Sequence, residues 1–445
     1  EDLFLNTVLL SFGLTLATFV ILTRLLEDQL KLLVCILLLC CSNAFIDFAT
    51  SGLENVLGYL LISYFLLHYH ALFSYASETS IILSKTLNKL AITYGLLIFT
   101  RHDLALLLLP AMGYLFLMNR SIVSKRQWVG YALKASLPLI GWTIFSLIYY
   151  GSMFPNTAYA KLYTSIDKMD LIAQGLAYFK LNLRYDFVTL ATILLGIVWA
   201  IFSPNKHLRW IALGIILNLL YILFVGGAFM LGRSLSYSFL LSVALLFIAQ
   251  PHPLIKWRSK WWLPAMGGCL LLYSGAYAHT PLNSPADYKN QEFESGVADE
   301  RGFYFLSHSL RSYIQVNVVA SESGLFPANI NCSNGQKIAD LPANYFSAEM
   351  IGVYGYCSGL HHTIIDPLAL SDPFLARLPI KQGEWRIGHF KRDISREYVE
   401  SLVTGKNAFR DPAMRALYED VALAARSDEL FSRERLAAIY RLNTR

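Results

Sequence analysis

Residues 1–278 hold ten apolar runs, at roughly 6–23, 32–45, 54–70, 85–99, 104–118, 134–150, 186–202, 210–225, 237–250 and 261–278. A helix needs about 20 apolar residues to cross a bilayer core. Backbone in lipid must also satisfy its own hydrogen bonds, which leaves helices as the natural form for such runs. Several runs are short, which suits kinked or partly inserted helices covered by protein. The expected fold is therefore mainly α, a polytopic membrane helical bundle.

The bundle ends where the composition changes. Residues 1–278 carry 19 Lys+Arg and 11 Asp+Glu, and residues 279–445 carry 18 and 20. That is 30 charges in 278 residues against 38 in 167. Two domains follow, a transmembrane domain of about ten spans over 1–278 and a soluble domain over 279–445. The chain's excess of +6 lies in the membrane part, where loop topology accounts for it. No tract of basic residues with interleaved aromatics speaks for nucleic acid, so none is expected as a partner; membrane lipids are.

Alternate loops differ in charge. One set holds Arg24 and Lys31; Lys85 and Lys89; Arg120, Lys125, Arg126 and Lys134; Lys206 and Arg209; and Lys256, Arg258 and Lys260. The other set has isolated basic residues, such as Arg101 and Arg233, with a few more around Lys161 in one long loop. The positive-inside rule places the first set in the cytoplasm and both residue 1 and the tail outside the plasma membrane. No secretory cleavage signal is visible.

The tail opens with a Pro/Asn/Ser-rich loop, Thr280 to Pro285. Val316–Ala320 and Met350–Tyr354 read as short strands. Arg396–Leu402 reads as a helix behind Ser395, Asp411-Pro412 as a helix start, and about 432–442 as a last helix. The expectation is a C-terminal extracytoplasmic α/β domain. Cys35, Cys40, Cys41 and Cys269 fall in spans, and Cys332 and Cys357 are the two cysteines of the tail. A disulfide between those two is expected, since an outside compartment permits it and the pair has no competitor there. His361-His362 reads as a surface pair, and no His/Cys spacing suggests a metal site.

Polar residues at the outer ends of the spans are the unusual feature. Ser51-Gly-Leu-Glu54 has the capping-box spacing, so Glu54 is either a helix cap or a carboxylate for a sugar hydroxyl. Arg101-His102-Asp103 is wedged between apolar runs, either as a structural pair or as the lining of a wet cavity. Tyr149-Tyr150 is followed by Pro155-Asn156-Thr157 and Lys161, which supply donors for phosphate or hydroxyl groups. Gly226-Gly-Ala-Phe-Met-Leu-Gly-Arg233 places a guanidinium after flexible glycines, as a phosphate clamp or a snorkelling headgroup contact.

Together these four stretches resemble the GT-C glycosyltransferases of bacterial envelopes, the terminal β-(1→2)-arabinofuranosyltransferase group above all. Asp366-Pro-Leu-Ala-Leu-Ser-Asp-Pro373 and Gly405-Lys-Asn407 are similar to that group's outer domain. His102 stands where the group usually has Pro, and Ala228 where it usually has Asp. The group's main acidic motif, in the first outer loop, has no counterpart here, which implies an N-terminally truncated copy. The resemblance implies a GT-C-like bundle that transfers a sugar from a polyprenyl-phosphate donor to an envelope glycan or lipid. It implies phosphate or sugar binding by Arg101, Tyr150, Asn156, Thr157, Lys161 and Arg233. It gives Asp103 and Glu54 catalytic supporting roles. It leaves a divalent metal open as the one cofactor. The competing readings are a multi-pass transporter or lipid flippase, and an envelope glycan polymerase or ligase.

Overall fold

The computed structural model describes residues 3–74, 80–162, 164–249, 261–277, 279–283, 294–312, 314, 330–339, 345–349, 351–381, 383 and 385–444. Lys256, Arg258 and Lys260, the expected strand at 316–320, Met350, and the end of the 280–285 loop lie outside these residues. The protein is mainly helical, with 19 α-helices among the described residues. Contacts divide it into two compact units, residues 1–139 with 168–305 and residues 140–167 with 306–445.

The first unit contains α1 (Leu3–Leu25), α2 (Gln29–Cys40), α3 (Asn43–Ala49), α4 (Asn55–Ser74), α5 (Ser80–Thr100) and α6 (Ala105–Asn119). The first part of α7 (Lys125–Tyr149) belongs to it. So do α9 (Lys168–Tyr185), α10 (Phe187–Phe202), α11 (Lys206–Phe224), α12 (Ser236–Ile248), α13 (Trp262–Ala276) and most of α14 (Glu300–His308), while α8 (Asn156–Leu162) lies in the second unit. Among the described residues all ten apolar runs are mainly helical, one of them with a break at Cys41–Ser42. Among the described residues, six helices are long and apolar enough to cross a membrane, or eight segments if each of two bent pairs counts as one. α12 and α13 have 13 and 15 residues, shorter than the other apolar helices that could cross.

The bent pairs are α2–α3, with an angle of 84°, and α9–α10, with 107°. Both breaks are polar, and they meet. Ser42 caps α3 by accepting from Phe45 N at 3.1 Å, and its hydroxyl is 2.6 Å from that of Thr189. Asp186, at the break between α9 and α10, accepts from Thr189 at 2.6 Å and from Ala44 N at 2.8 Å. One buried carboxylate thus satisfies a backbone N–H at the start of α3 and binds the Thr189 hydroxyl on α10, which joins the two breaks. The charged, amphipathic α9 is not among the ten runs, because Asp170, Lys180 and Arg184 break its hydropathy. α4 and α12 approach closely at Gly58, where any Cβ would overlap the Tyr237 ring.

The second unit packs α8 against residues 306–445. Its further helices are α15 (Ile330–Ala339), α16 (Ile351–Ser358), α17 (Arg396–Thr404), α18 (Pro412–Arg426) and α19 (Arg433–Thr444). The run after Met350 is helix α16, not the expected strand. A short apolar run fits either form by pattern alone, and tertiary contact decides. Here Cys357 on α16 is disulfide-bonded to Cys332 on α15, with Cα atoms 5.2 Å apart, and Gly335 lies tight against the Tyr354 carbonyl. The described strands are β1 (Tyr345–Ser347) and β2 (Thr363–Ile365), a parallel pair with Phe346 opposite Ile364. This pair is too small to establish the expected α/β domain. Ser395 accepts from Tyr398 N at 3.1 Å and Asp411 from Met414 N at 2.8 Å, so both helix starts form as expected.

The Asp366–Pro373 segment has a structural role. Asp366 accepts from the backbone N of Leu368 and of Ser371, each at 2.9 Å. Asp372 accepts from Phe374 N, Leu375 N and the Tyr398 hydroxyl, the last at 2.7 Å. These turns deliver Phe374 into an aromatic core with Tyr398, Phe409 and Tyr418. Gly405 ends α17 in the left-handed conformation, φ 68°.

Candidate functional site

Four of the expected residues meet in the first unit. Arg101 has extended backbone between α5 and the 3-10 turn at His102–Leu104, so its side chain leaves the helix sideways. Its Nε and one Nη donate to the two oxygens of Asp103, at 3.0 and 2.8 Å, a bidentate pair. Its other Nη donates to Glu54 at 3.0 Å. Arg233 donates from one Nη to both Glu54 oxygens, at 2.8 and 2.9 Å. The result is a chain, Asp103–Arg101–Glu54–Arg233, in which one carboxylate is shared by two guanidinium groups.

The four side chains are 14–27% exposed. Burial pushes the Glu54 carboxyl upward, but Arg233 and Arg101 outweigh it and hold Glu54 below the usual carboxylate range. Glu54 is therefore ionised and fully engaged, which suits a charge organiser better than a proton acceptor. Of the two readings of Glu54, the capping box does not form. α4 starts at Asn55, so Glu54 sits at the cap position, and its carboxylate goes to the arginines instead. Ser51 accepts from Leu53 N rather than capping α4.

The second arginine is placed by its loop. Leu231 N donates to Ala298 O at 2.9 Å and Ala298 N to Phe229 O at 2.7 Å, which ties residues 229–231 to a second strand-like segment. Gly232, with φ 76°, packs directly on Ala44. The Arg233 carbonyl accepts from Asn55 Nδ2 at 3.3 Å, and Asn55 also donates to Ser236 at 3.0 Å. The remaining Nη of Arg233 faces Met230 Sδ at 3.4 Å, and its buried Nε–H has no hydrogen-bond partner among the described residues. A buried guanidinium edge of this kind can take an anion.

Sequence reasoning missed the aromatic floor of this cluster. Arg101 lies over the Tyr237 ring, 5.7 Å from its centroid, and Tyr237 packs edge-on to Tyr59. Tyr237 follows the Gly226–Arg233 motif by four residues, and that proximity was the available signal. Missed as well was an ion pair between Arg301 and Asp47, 3.3 Å apart. It joins residues 254 positions apart, a separation that carries no sequence signature.

The other expected residues belong to the second unit. Asn156 opens α8 and donates to Ser371 O at 3.1 Å, Thr157 is exposed, and Lys161 is exposed in the helix's last turn. Arg392 donates to Ala160 O at 2.7 Å and so fixes that turn. His389 stays deprotonated to lower pH than usual, down to about 4, through burial and then the charges of Arg386 and Lys161. Tyr150 is half exposed and packs against Phe145 and Tyr149. Among the described residues, no group of three or more His, Cys, Asp and Glu could hold a metal ion. Compared with protein-family models, with curated proteins and with solved structures, the chain shows no significant match.

Proposed function

We propose that the protein is a membrane glycosyltransferase of GT-C type. It moves a sugar, with arabinofuranose as the first to test, from a polyprenyl-phosphate donor to an envelope glycan or lipid. The observation that carries this reading is the shared Glu54. Two arginines from distant parts of the chain converge on one carboxylate at the ends of apolar helices. A lipid-phosphate leaving group needs donors close to its oxygens in a site of low dielectric. Arg233 has a buried N–H to offer, and Glu54 keeps the two cations from repelling each other before the donor arrives. Asp103 orients Arg101 through its bidentate pair. In this scheme the acceptor's proton goes to a base other than Glu54.

The test is transfer of labelled sugar from a polyprenyl-phosphate donor to acceptor in vesicles holding the protein. Arg233→Ala and Arg101→Ala should each lower the rate about 100-fold or more, with insertion unchanged. Normal turnover in both variants would return the arginines to structural roles. A polyprenyl-diphosphate glycan in place of the monophosphate donor separates transferase from polymerase or ligase. A divalent cation is left open, and the effect of chelation on the rate decides whether one takes part.

One observation favours a transporter as the second reading. Two helices are broken and meet at a buried carboxylate, Asp186, and discontinuous helices often frame solute sites. Solute uptake lost in Asp186→Asn, with no sugar transfer by the unaltered protein, would support it.

A further inference from the structure

We infer that the C-terminal helix α19 docks on the lipid surface beside the end of α7, as an interfacial helix of the second unit. This rests on α7 crossing a bilayer and is independent of the chemistry proposed above. α7 carries Ile140, Ile144, Phe145 and Ile148, all exposed, along its last turns, as a lipid-facing helix does. It ends in an aromatic group of the kind that gathers at headgroup level: Phe145 stacks on Tyr149 with centroids 5.3 Å apart, and Tyr150 sits edge-on to both.

α19 is fastened to this exit point. Arg435, with only 1% exposure, donates to Tyr149 O at 3.2 Å. Asn443 donates to Gly151 O at 3.0 Å and accepts from Met153 N at 2.8 Å. Gly151 itself lies tight against Ala424 of α18. Residues 436, 440 and 443 form one stripe of a helix. The stripe that ends in Asn443, at the 151–153 loop, therefore presents Leu436 and Tyr440. These are 48% and 70% exposed, and Met153 and Phe154 in the loop are 45% and 49% exposed. The adjoining face, with Arg435, Ala438, Ile439 and Leu442, is buried in the unit.

Exposed large apolar residues are normal one at a time, but a patch continuous with a lipid-facing helix belongs to the same solvent. The occupant is thus the headgroup and upper acyl region, with Tyr440 and Tyr150 as amphipathic anchors. Arg441 is paired with Asp420 at 2.6 Å, so the contact rests on the apolar stripe and not on charge. Tyr150 is assigned to this lipid contact rather than to donor binding.

The test places p-benzoylphenylalanine at Tyr440, at Leu436 or, as control, at Arg415 in the full chain. Each protein is reconstituted in phosphatidylcholine/phosphatidylglycerol vesicles, irradiated, and analysed for adducts by mass spectrometry. Positions 440 and 436 are exposed, so the label leaves the core untouched. Lipid adducts severalfold more abundant at 440 and 436 than at 415 are expected. Equal yields at all three positions, no lipid adduct at 440, or a crosslink there to a second copy of the chain would each overturn the inference. Sugar transfer plays no part in this readout, so failure here leaves the transferase reading standing.

Discussion

Glu54 shows how one residue can hold a site together. Its two oxygens receive three charge-assisted hydrogen bonds, and its removal would leave two guanidinium groups facing each other. Glu54→Gln should therefore destabilise the first unit by about 1–3 kcal/mol, below the full cost of breaking a buried pair because the group is partly exposed. Thermal unfolding in detergent measures this, and an unchanged midpoint would mean that the pairs contribute nothing net. The sign with pH follows from the depressed pKa. The stability from Glu54 is complete above its ordinary value near 4.5 and falls away as pH drops through the lower folded value. His389 works in the same direction by other means. It titrates at about 4 in the fold against 6.5 when exposed, so the unfolded chain binds the extra proton between those values. The second unit should lose stability as pH falls from 6.5 to 4, by about 1 kcal/mol after discounting for its partial exposure. His389→Gln should flatten that slope, and an unaltered slope would show that His389 is solvated.

At the scale of elements, caps follow local rules and can be read from the sequence. Ser395 and Asp411 each use an oxygen to satisfy a backbone N–H of the first turn. Asp411→Ala should cost about 1 kcal/mol, measured as a lowered denaturation midpoint, while Pro412 keeps the helix start in place. A change of a few tenths only would mean that water replaces the cap. The capping box at Ser51 and Glu54 obeys the same spacing rule and fails, because the arginines offer Glu54 a stronger partner than a backbone N–H. The run Met350–Tyr354 is legible as apolar and not as helical. Its period is too short to separate the two forms, and the helix seen packs closely on its neighbour, with Gly335 against the Tyr354 carbonyl.

At the scale of the molecule, the charge rule makes a prediction about topology. α7 begins at Lys125-Arg126, in the loop the charge rule assigns to the cytoplasm, and leads into residues 150–167. Those residues fold with 306–445 as one unit, so the tail should lie on the side where α7 ends. Reporter fusions should be cytoplasm-active at Ser124 and periplasm-active at Asn407. The reverse pair of results would invert the bundle and place the Glu54 cluster inside.

The apolar runs could be read as helices from the sequence alone, because hydropathy over about 20 residues is a local property and a helix satisfies its own backbone. The sequence also marked Glu54, Arg101, Asp103 and Arg233 as misplaced polar residues, because charge within an apolar stretch is costly wherever it sits. Which of them touch was decided only by tertiary structure. Residues 54 and 233 are 179 positions apart and share one carboxylate, and nothing in their local spacing specifies that distance. The broken helices and the role of Asp186 are likewise tertiary, since a break in a span is tolerable only when another element supplies the missing hydrogen bonds. The assignment of residues 140–167 to the tail's unit is of the same kind. Contacts such as Arg392 with Ala160 and Arg435 with Tyr149 join segments that composition assigns to different solvents.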